Sequence, residues 1–345
     1  MARRILEAEL LAKAGINQQP MMAAKSVELV KEVKLHKTSN GVFCVQFNFS
    51  GEFFAVGLGS GGIYLYETTS GKVVNELRPC RIGGFAVMTI RFHPKQPEIL
   101  YAATTEGSIH VYNIKTGLEL ATILEPGNEI NTLDFSVDGY NFVTGGKDLG
   151  VRVYDTNSNK LVKLWKGTSS SLTALQDSSQ LGNTMRIFSA RFHPVNQYIF
   201  VTGGWDNHLK IWDVRDNEGI RRNIRGPHIC GDSLDVGETE ILSGQWTALH
   251  ALQEYNYNTG AISREINFPH TEGAFLYTAQ YCNSNNVVAA GSGTNSAEVI
   301  ELSTNRHVGG YHMAASVHTL DTTNQGRMMV VAGASPVLAI LEITE

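Results

Sequence analysis

Short segments in which apolar residues alternate with polar ones recur along the chain, and one five-residue pattern occurs seven times. Each copy begins with an apolar residue, has an aromatic or aliphatic residue in fourth place and ends in Asp, Glu or Asn. The seven copies are IYLYE (63–67), IHVYN (109–113), VRVYD (151–155), LKIWD (209–213), LQEYN (252–256), AEVIE (297–301) and LAILE (338–342). Alternation with a period of two predicts a β-strand at each copy.

The spacing of these strands indicates the architecture. Their fourth residues are separated by 46, 42, 58, 43, 45 and 41 residues. A period of about 40–45 residues with several strands per unit is typical of a β-propeller. The third unit shows the four strands of one blade at 130–135, 140–144, 151–155 and 160–165. The sequence therefore predicts an all-β, seven-bladed propeller.

The last unit offers three strands, and the fourth is predicted from the other end of the chain. Residues 27–35 alternate with period two, and pairing them with the last unit would close the ring and cover an edge strand. We therefore expect an N-terminal arm at 1–25 and a propeller at 26–345. The expected blades are approximately 41–78, 86–125, 129–165, 186–226, 228–268, 274–312, and 316–345 together with 27–35.

The arm is predicted to contain a short helix over 3–14. Two oppositely charged pairs lie four residues apart on it, and Gly15 follows as a stop. Its apolar side consists of Ile5, Leu6, Leu10 and Leu11. A helix of this length is marginal in water, so we expect this side to pack either on a partner protein or on the propeller itself.

Composition narrows the class of protein. A net charge of −5 disfavours a nucleic-acid binder, and no apolar stretch is long enough to insert into a membrane. The N-terminus lacks the apolar core of a signal peptide. Cys44, Cys80, Cys230 and Cys282 are widely spaced, which indicates free thiols. We expect a cytoplasmic protein, with the nucleus as the alternative.

The unit VTGGWDNHLKIWD (201–213) resembles the repeat of the WD40 family, and the resemblance extends over about 26–345. In that family an Asp in the turn before the third strand belongs to a hydrogen-bonded set with the Trp of that strand. The resemblance implies such a set for Asp206 with Trp212 and, in part, for Asp148 with Tyr154. The Gly-His pair that usually opens a repeat is absent, so no subfamily is assigned.

Motifs that would indicate catalysis or cofactor binding are either absent or lack the structural context that they require. The GxGxxG match at 57–62 is followed by a strand rather than the helix that a pyrophosphate site needs, so it is interpreted as a hairpin turn. GxSxG, Walker and HExxH sequences are absent. The pair His228 and Cys230 is too small a set for a metal, and His93 and His193 are interpreted as turn residues. We expect no enzyme activity, cofactor, metal or small-molecule substrate.

Two basic features suggest protein partners. Trp212-Asp213-Val214-Arg215 resembles the box of WD40 substrate receptors for cullin–RING ubiquitin ligases, which implies an exposed Arg215 that pairs with the ligase adaptor. The alternative is that Trp212 and Asp213 are only the repeat signature. A cluster of arginines at 221–225 is predicted on an outer strand, either as a solvated edge or as a docking patch for an acidic partner.

The predicted function is a non-catalytic scaffold that docks into a multiprotein assembly, with the ligase receptor as the alternative. By analogy with degenerate propellers that carry helical arms, the expected setting is cytoskeletal or ciliary. The Ser/Thr-rich insertion at 166–185 is expected on the same face as Asp148 and Asp206. The candidate protein-binding residues are Ile5, Leu6, Leu10, Leu11, Arg81, Arg186, Trp205, Arg215, Arg221, Arg222, Arg225, His228 and Trp246.

Overall fold

The computed structural model describes residues 24–168, 182–269 and 273–344. The helix predicted for the arm, with Ile5, Leu6, Leu10 and Leu11, lies outside these ranges. So does most of the predicted insertion. Within the described ranges no helix has the length and apolar character needed to span a bilayer.

The described residues form twenty-eight strands, and the only other element is a single turn of 3₁₀ helix at Asn324–Gly326. The first half of the strands are β1 (Ser26–Lys34), β2 (Val42–Phe47), β3 (Phe53–Leu58), β4 (Ile63–Glu67), β5 (Val73–Arg78), β6 (Val87–His93), β7 (Gln96–Thr104), β8 (Ser108–Asn113), β9 (Glu119–Leu124), β10 (Ile130–Phe135), β11 (Asn141–Gly146), β12 (Val151–Asp155), β13 (Lys160–Trp165) and β14 (Ile187–Phe192). The second half are β15 (Ile199–Gly204), β16 (His208–Asp213), β17 (Ile220–Arg225), β18 (Leu234–Val236), β19 (Glu240–Gly244), β20 (Leu252–Asn256), β21 (Ile262–Glu265), β22 (Leu276–Tyr281), β23 (Asn286–Gly291), β24 (Ser296–Glu301), β25 (Arg306–His312), β26 (Val317–Thr323), β27 (Met328–Gly333) and β28 (Val337–Thr344).

These strands make seven antiparallel four-stranded sheets, which are the blades of a propeller. Blades 1 to 6 are built from consecutive strands, beginning with β2–β5 and ending with β22–β25. Blade 7 has the order β1-β28-β27-β26, with Ser26 opposite Thr344 and Lys34 opposite Val337. The prediction of a seven-bladed propeller closed by an N-terminal strand is confirmed.

The hydrophobic core lies between blades rather than inside them. Seven clusters of buried side chains fill the seven spaces between neighbouring blades; the cluster between blades 1 and 2, for example, joins Leu65 to Phe92. The outer strand β21, for example, is exposed along its whole length. Because a single blade has nowhere to bury its faces alone, the closed ring is required for the core.

The aromatic residue in fourth place of the repeated pattern has a packing role in this core. It lies opposite an aromatic residue of the second strand in three blades and stacks on it almost in parallel. The stacked pairs, with their centroid distances, are Phe54 with Tyr66 (5.3 Å), Phe142 with Tyr154 (4.8 Å) and Phe200 with Trp212 (5.9 Å). Such cross-strand pairs stabilise a sheet, which accounts for the aromatic residue in these three copies of the pattern.

The hydrogen-bonded sets implied by the family resemblance are not formed as expected. Trp212 Nε1 donates to Thr202 Oγ1 at 2.8 Å, whereas Asp206, whose side chain is 3% exposed, forms an ion pair with Lys210. Asp148 likewise pairs with Arg152. Both carboxylates therefore pair with a basic residue of their own third strand, at i+4.

The partner of Tyr154 comes from the end of the neighbouring blade. Its hydroxyl donates to Glu125 Oε1 at 2.9 Å rather than to Asp148. Glu125 is buried and also accepts the hydroxyl of Thr144. The blade therefore keeps a buried polar set, but with a glutamate that the repeat pattern did not indicate.

The two His-Pro sequences have the turn role that was predicted. His93 Nδ1 accepts the amides of Lys95 and Gln96, and its Nε2 donates to the Gly139 carbonyl of the next blade at 3.1 Å. His193 makes the equivalent bonds to its own turn and to the Glu238 carbonyl. Each imidazole therefore caps one turn and ties it to the neighbouring blade.

Candidate protein-binding surface

We call the upper face the one formed by loops between the second and third strands of each blade and between successive blades. The stem of the predicted insertion lies on it, since the Thr168 amide donates to the Asn183 carbonyl and the Thr184 amide donates to Asp206. The stem of the insertion therefore lies on the predicted face. The turn of Asp148 lies there too.

Three of the predicted contact residues meet on this face in one stack. Arg186 precedes β14, Trp205 follows β15 and His228 precedes β18. The guanidinium of Arg186 lies 5.7 Å from the Trp205 ring centroid, and the His228 ring lies 6.4 Å from it at an angle of 8°. Phe188 adds a tilted contact at 5.2 Å. We call these four residues, with Cys230, the Trp205 cluster.

The backbone and the indole nitrogen hold Trp205 in place. Its amide donates to the Arg186 carbonyl at 3.1 Å, and its Nε1 donates to Cys230 Sγ at 3.0 Å. Trp205 is nevertheless half-buried rather than buried. His228 Nδ1 donates to Asn207 Oδ1 at 2.8 Å, and burial lowers the pKa of His228. The cluster is therefore a positioned aromatic surface rather than a mobile loop tip.

Arg186 of the Trp205 cluster also forms an ion pair, and two further basic residues lie on the same face. Arg186 Nη1 lies 2.9 Å from Glu129 Oε2, and Lys147 pairs with the other oxygen of the same carboxylate. The hydrogen bond from Lys147, together with the charge of Arg186, lowers the pKa of Glu129. Arg225 ends β17 at the same face, opposite His208.

The remaining upper-face candidates lie apart from this cluster. Trp246, 39% exposed, packs against Phe275 at 5.1 Å on blades 5 and 6. Arg81 is exposed in the loop between blades 1 and 2. Beside it, Ile82 is 98% exposed, and the sequence reasoning missed it. An apolar residue within the glycine-rich run RIGGF was a signal that could have indicated it.

Arg215 lies on the lower face, in the turn between β16 and β17, and is already engaged within the chain. Its Nε and Nη2 contact the two oxygens of Asp213 at 3.0 and 2.8 Å, and its guanidinium lies 4.6 Å from the Tyr198 ring centroid. The Arg215 hydrogen bonds lower the pKa of Asp213 to about 2. Its side chain is 56% exposed, so one side of the guanidinium remains accessible.

The arginines of β17 do not form one free patch. Arg221 Nη2 lies 3.0 Å from Asp213, and Arg222 donates to the Asn258 carbonyl of blade 5. Arg225 is exposed, and within the described ranges no side-chain partner is seen for it. Two of the three predicted docking arginines therefore have structural contacts that the sequence did not indicate.

Charged residues also converge on the centre of the ring, around a cavity of about 90 Å³. Asp232 Oδ2 lies 2.8 Å from Arg91 and 2.5 Å from Arg191, and Asp134 lies 3.4 Å from Arg91. Burial raises the pKa of Asp232, but the charges of Arg191 and Arg91 outweigh it and hold that pKa well below its usual range.

The central carboxylates tie blades together. Asp134 Oδ2 accepts the Phe192 amide at 2.8 Å, so blade 3 is bonded to blade 4. Asp321 accepts the Phe47 amide at 2.7 Å, which bonds blade 7 to blade 1. Across the described residues, no group of three His, Cys, Asp or Glu side chains is placed to hold a metal ion.

Comparison with known proteins agrees with this architecture. The family model described as WD domain, G-beta repeat matches residues 27–67, 118–155 and 159–213. The chain therefore carries repeats of the WD40 type. A propeller presents the loops at the ends of its strands on a rigid ring.

The similar proteins are WD-repeat proteins of several kinds. A "Ribosome biogenesis protein WDR12 homolog" of Culex quinquefasciatus is 27% identical over 236 residues, covering 61% of this chain and 51% of that protein. A "WD repeat-containing protein 55 homolog" of Drosophila ananassae is 31% identical over 136 residues, covering 39% and 25%. The "WD repeat-containing protein slp1" of Schizosaccharomyces pombe is 19% identical over 246 residues, covering 70% and 46%. The chain spans about half or less of the length of each relative.

Proposed function

We propose that this protein is a non-catalytic scaffold that docks into a multiprotein assembly through its upper face, with the Trp205 cluster as the main contact. The observation that carries the proposal is the convergence of Arg186, Trp205 and His228 from three separate loops into one half-buried stack. Trp and Arg are the residue types that most often dominate the energy of protein interfaces. A side chain held in place before binding also loses less conformational entropy.

The names of the relatives support a setting different from the one expected from the sequence. The relative from Culex quinquefasciatus is named a ribosome biogenesis protein, whereas none of these three relatives is named for a cytoskeletal or ciliary role. We therefore propose a ribosome-assembly complex as the first setting to test. The cytoskeletal or ciliary setting rests on analogy alone. The expected lack of nucleic-acid binding and the cytoplasmic location stay predictions.

Affinity purification of the tagged chain from its own cells, followed by mass spectrometry, tests the proposal. We expect Trp205→Ala to lose the stoichiometric partners, while Trp246→Ala on the same face retains them. Each variant should first show a cooperative melting transition. Retention of all partners by folded Trp205→Ala would contradict the proposal. Treatment with ribonuclease before purification reports whether partners are held through RNA.

A second candidate, the receptor of a cullin–RING ligase, is favoured by one observation. The Arg215 side chain is 56% exposed on the lower face, so it remains accessible beside Asp213. Recovery of a ligase adaptor by wild-type protein and its loss in Arg215→Ala would support the receptor. Absence of any adaptor, or its retention in Arg215→Ala, would count against it.

A further inference from the structure

The first strands of blades 2 and 4 carry an arginine where those of the other five blades carry Gln or Asp. The residues at this position, all of which line the central cavity, are Gln46, Arg91, Asp134, Arg191, Asp235, Gln280 and Asp321. In four blades the side chain accepts a backbone amide of the next blade, as Gln46 does from Phe92 at 2.7 Å. Arginine has no acceptor atom, so Arg91 and Arg191 cannot form this bond between blades.

Both arginines bind one carboxylate, Asp232, which precedes the first strand of blade 5. Arg91 Nη2 donates to Asp232 Oδ2 at 2.8 Å, and Arg191 Nη2 donates to the same oxygen at 2.5 Å. Oδ1 accepts the Ser189 hydroxyl at 3.2 Å. The arginine side chains are 8% and 18% exposed, whereas the side chain of Asp232 is 34% exposed. Solvent therefore reaches the carboxylate more than it reaches the guanidinium groups that hold it.

The segment that carries Asp232 departs from the repeat. The first strands of the other blades have six or seven residues, but β18 of blade 5 has only Leu234–Val236. Residues 231–233 form a tight turn instead, in which the Ser233 amide donates to the Gly231 carbonyl at 2.9 Å. At the position of Gly231 the other six blades have a buried Val, Ile or Leu. A Cβ atom on Gly231 would lie 2.2 Å from the Tyr277 carbonyl oxygen, so only glycine fits this turn.

This arrangement has a local cost in stability. Ser233 is fully buried, and its hydroxyl has no hydrogen-bond partner among the residues that the structure describes. The same is true of Ser243, which lies opposite Leu234 on the paired strand. A buried hydroxyl without a partner is destabilising. Departures from an otherwise consistent repeat that bring such a cost are typical of functional sites.

We propose that Arg91 and Arg191 form a binding site for an aspartate or glutamate side chain of a partner protein, and that Asp232 occupies this site in the free chain. Charge-assisted hydrogen bonds between guanidinium groups and a carboxylate are among the stronger polar contacts in proteins. The chemistry that holds Asp232 therefore fits a carboxylate that reaches the centre of the ring from outside. Asp232 competes at a high effective concentration because it belongs to the same chain, so a partner needs further contacts to displace it.

The upper face offers such contacts, because the segment of Asp232 also carries two residues of the Trp205 cluster, His228 and Cys230. Trp205 Nε1 donates to Cys230 Sγ at 3.0 Å, two residues before Asp232. A partner that moves this segment therefore acts on the cluster and on the two arginines together. The arginine site does not require the cluster to be a docking surface, since the two proposals rest on separate observations.

Chemical rescue tests whether the arginines accept an external carboxylate. Asp232→Ala removes the internal one, and acetate should stabilise the folded variant by binding in its place. We expect the gain in Tm in sodium acetate, relative to sodium chloride of the same ionic strength, to be at least about 2 °C larger for Asp232→Ala than for wild type. Glu218→Ala, which removes an exposed carboxylate elsewhere, should respond as wild type does. Equal responses of the two variants to acetate would overturn the proposal.

Calorimetric titration with acetylated tetra-glutamate amide tests access by a polypeptide. Asp232→Asn keeps the shape of the side chain but lacks its charge, so we expect it to bind this peptide at least tenfold more tightly than wild type and to ignore tetra-glutamine. Glu218→Gln, with the same change in net charge, should stay within twofold of wild type. Adding Arg191→Gln to Asp232→Asn should abolish the gain. Absence of the gain, or its persistence in the double variant, would overturn the proposal.

Hydrogen exchange separates displacement of Asp232 from binding beside it. In wild type saturated with tetra-glutamate, amide exchange within 227–233 should become faster, because Asp232 no longer holds the segment against the arginines. Unchanged or slower exchange in the complex would contradict the displacement. All three measurements use purified protein without a partner of the Trp205 cluster, so the arginine site and the proposed docking surface can fail separately.

Discussion

We predict that the stability of the charged network at the centre of the ring depends most on the carboxylate of Asp232. It accepts hydrogen bonds from Arg91 of blade 2 and Arg191 of blade 4 at 2.8 and 2.5 Å. These arginine side chains are 8% and 18% exposed. Replacing Asp232 by Asn keeps the shape of the side chain but removes the charge, so two nearly buried guanidinium groups lose their shared counter-ion.

The expected loss of unfolding free energy follows from the contacts that the two arginines keep after the substitution. Breaking a buried ion pair by removing one partner typically costs about 3–5 kcal/mol. Asp134 still lies 3.4 Å from Arg91 and 4.0 Å from Arg191, and Asp232 itself is 34% exposed. Both facts place the expected loss at the lower end, about 3 kcal/mol. With an unfolding entropy of about 2.1 cal/mol/K per residue over 345 residues, this corresponds to a fall in Tm of about 4 °C.

Differential scanning calorimetry at pH 7 measures the effect. Glu218→Gln, which removes an exposed carboxylate, is the control and should shift Tm by less than about 1 °C. The effect of Asp232→Asn should persist in high salt, because screening acts weakly on buried pairs. A fall in Tm no larger than that of the control, or one abolished by salt, would refute this account of the central network.

Three other measurements test separate parts of the structure. Because Arg215 holds the pKa of Asp213 at about 2, Asp213 contributes stability above its unfolded pKa of about 3.9 and loses this contribution as the pH falls towards 2. The difference in Tm between wild type and Asp213→Asn should therefore be constant from pH 7 to about 4 and shrink below that. A difference that stays constant down to pH 2 would contradict this account. Trp212→Phe removes the hydrogen bond to Thr202 and part of the buried ring, and denaturant unfolding should show a loss of about 2–3 kcal/mol; a loss under about 0.5 kcal/mol would not fit. Burial raises the thiol pKa of Cys44, so this cysteine should react with a thiol reagent only after unfolding, unlike the half-buried Cys80; rapid reaction in the native protein would exclude its burial.

The candidate site could be predicted from the sequence only in part. Loop position was sufficient to place Arg186, Trp205 and His228 on one face, because loops at the ends of propeller strands follow from strand order. It was not sufficient to show that these three stack while Trp246 lies apart. The sequence also did not predict that Arg215 and Arg221 both pair with Asp213. A charged residue on a turn can point to solvent or to a neighbouring residue, and the sequence pattern is nearly the same in both cases.

The sequence by itself determined the number of blades, the strand order and the closure by β1, because these depend on alternation within each strand and on a spacing that repeats along the chain. The tertiary structure alone decided which polar side chains meet. Asp232 and Arg91 are separated by 141 residues, and Glu254 and Tyr281, whose side chains share a hydrogen bond, belong to different blades. Their contacts exist only once the ring has closed, since closure sets the distance between blades, and no local periodicity encodes that distance.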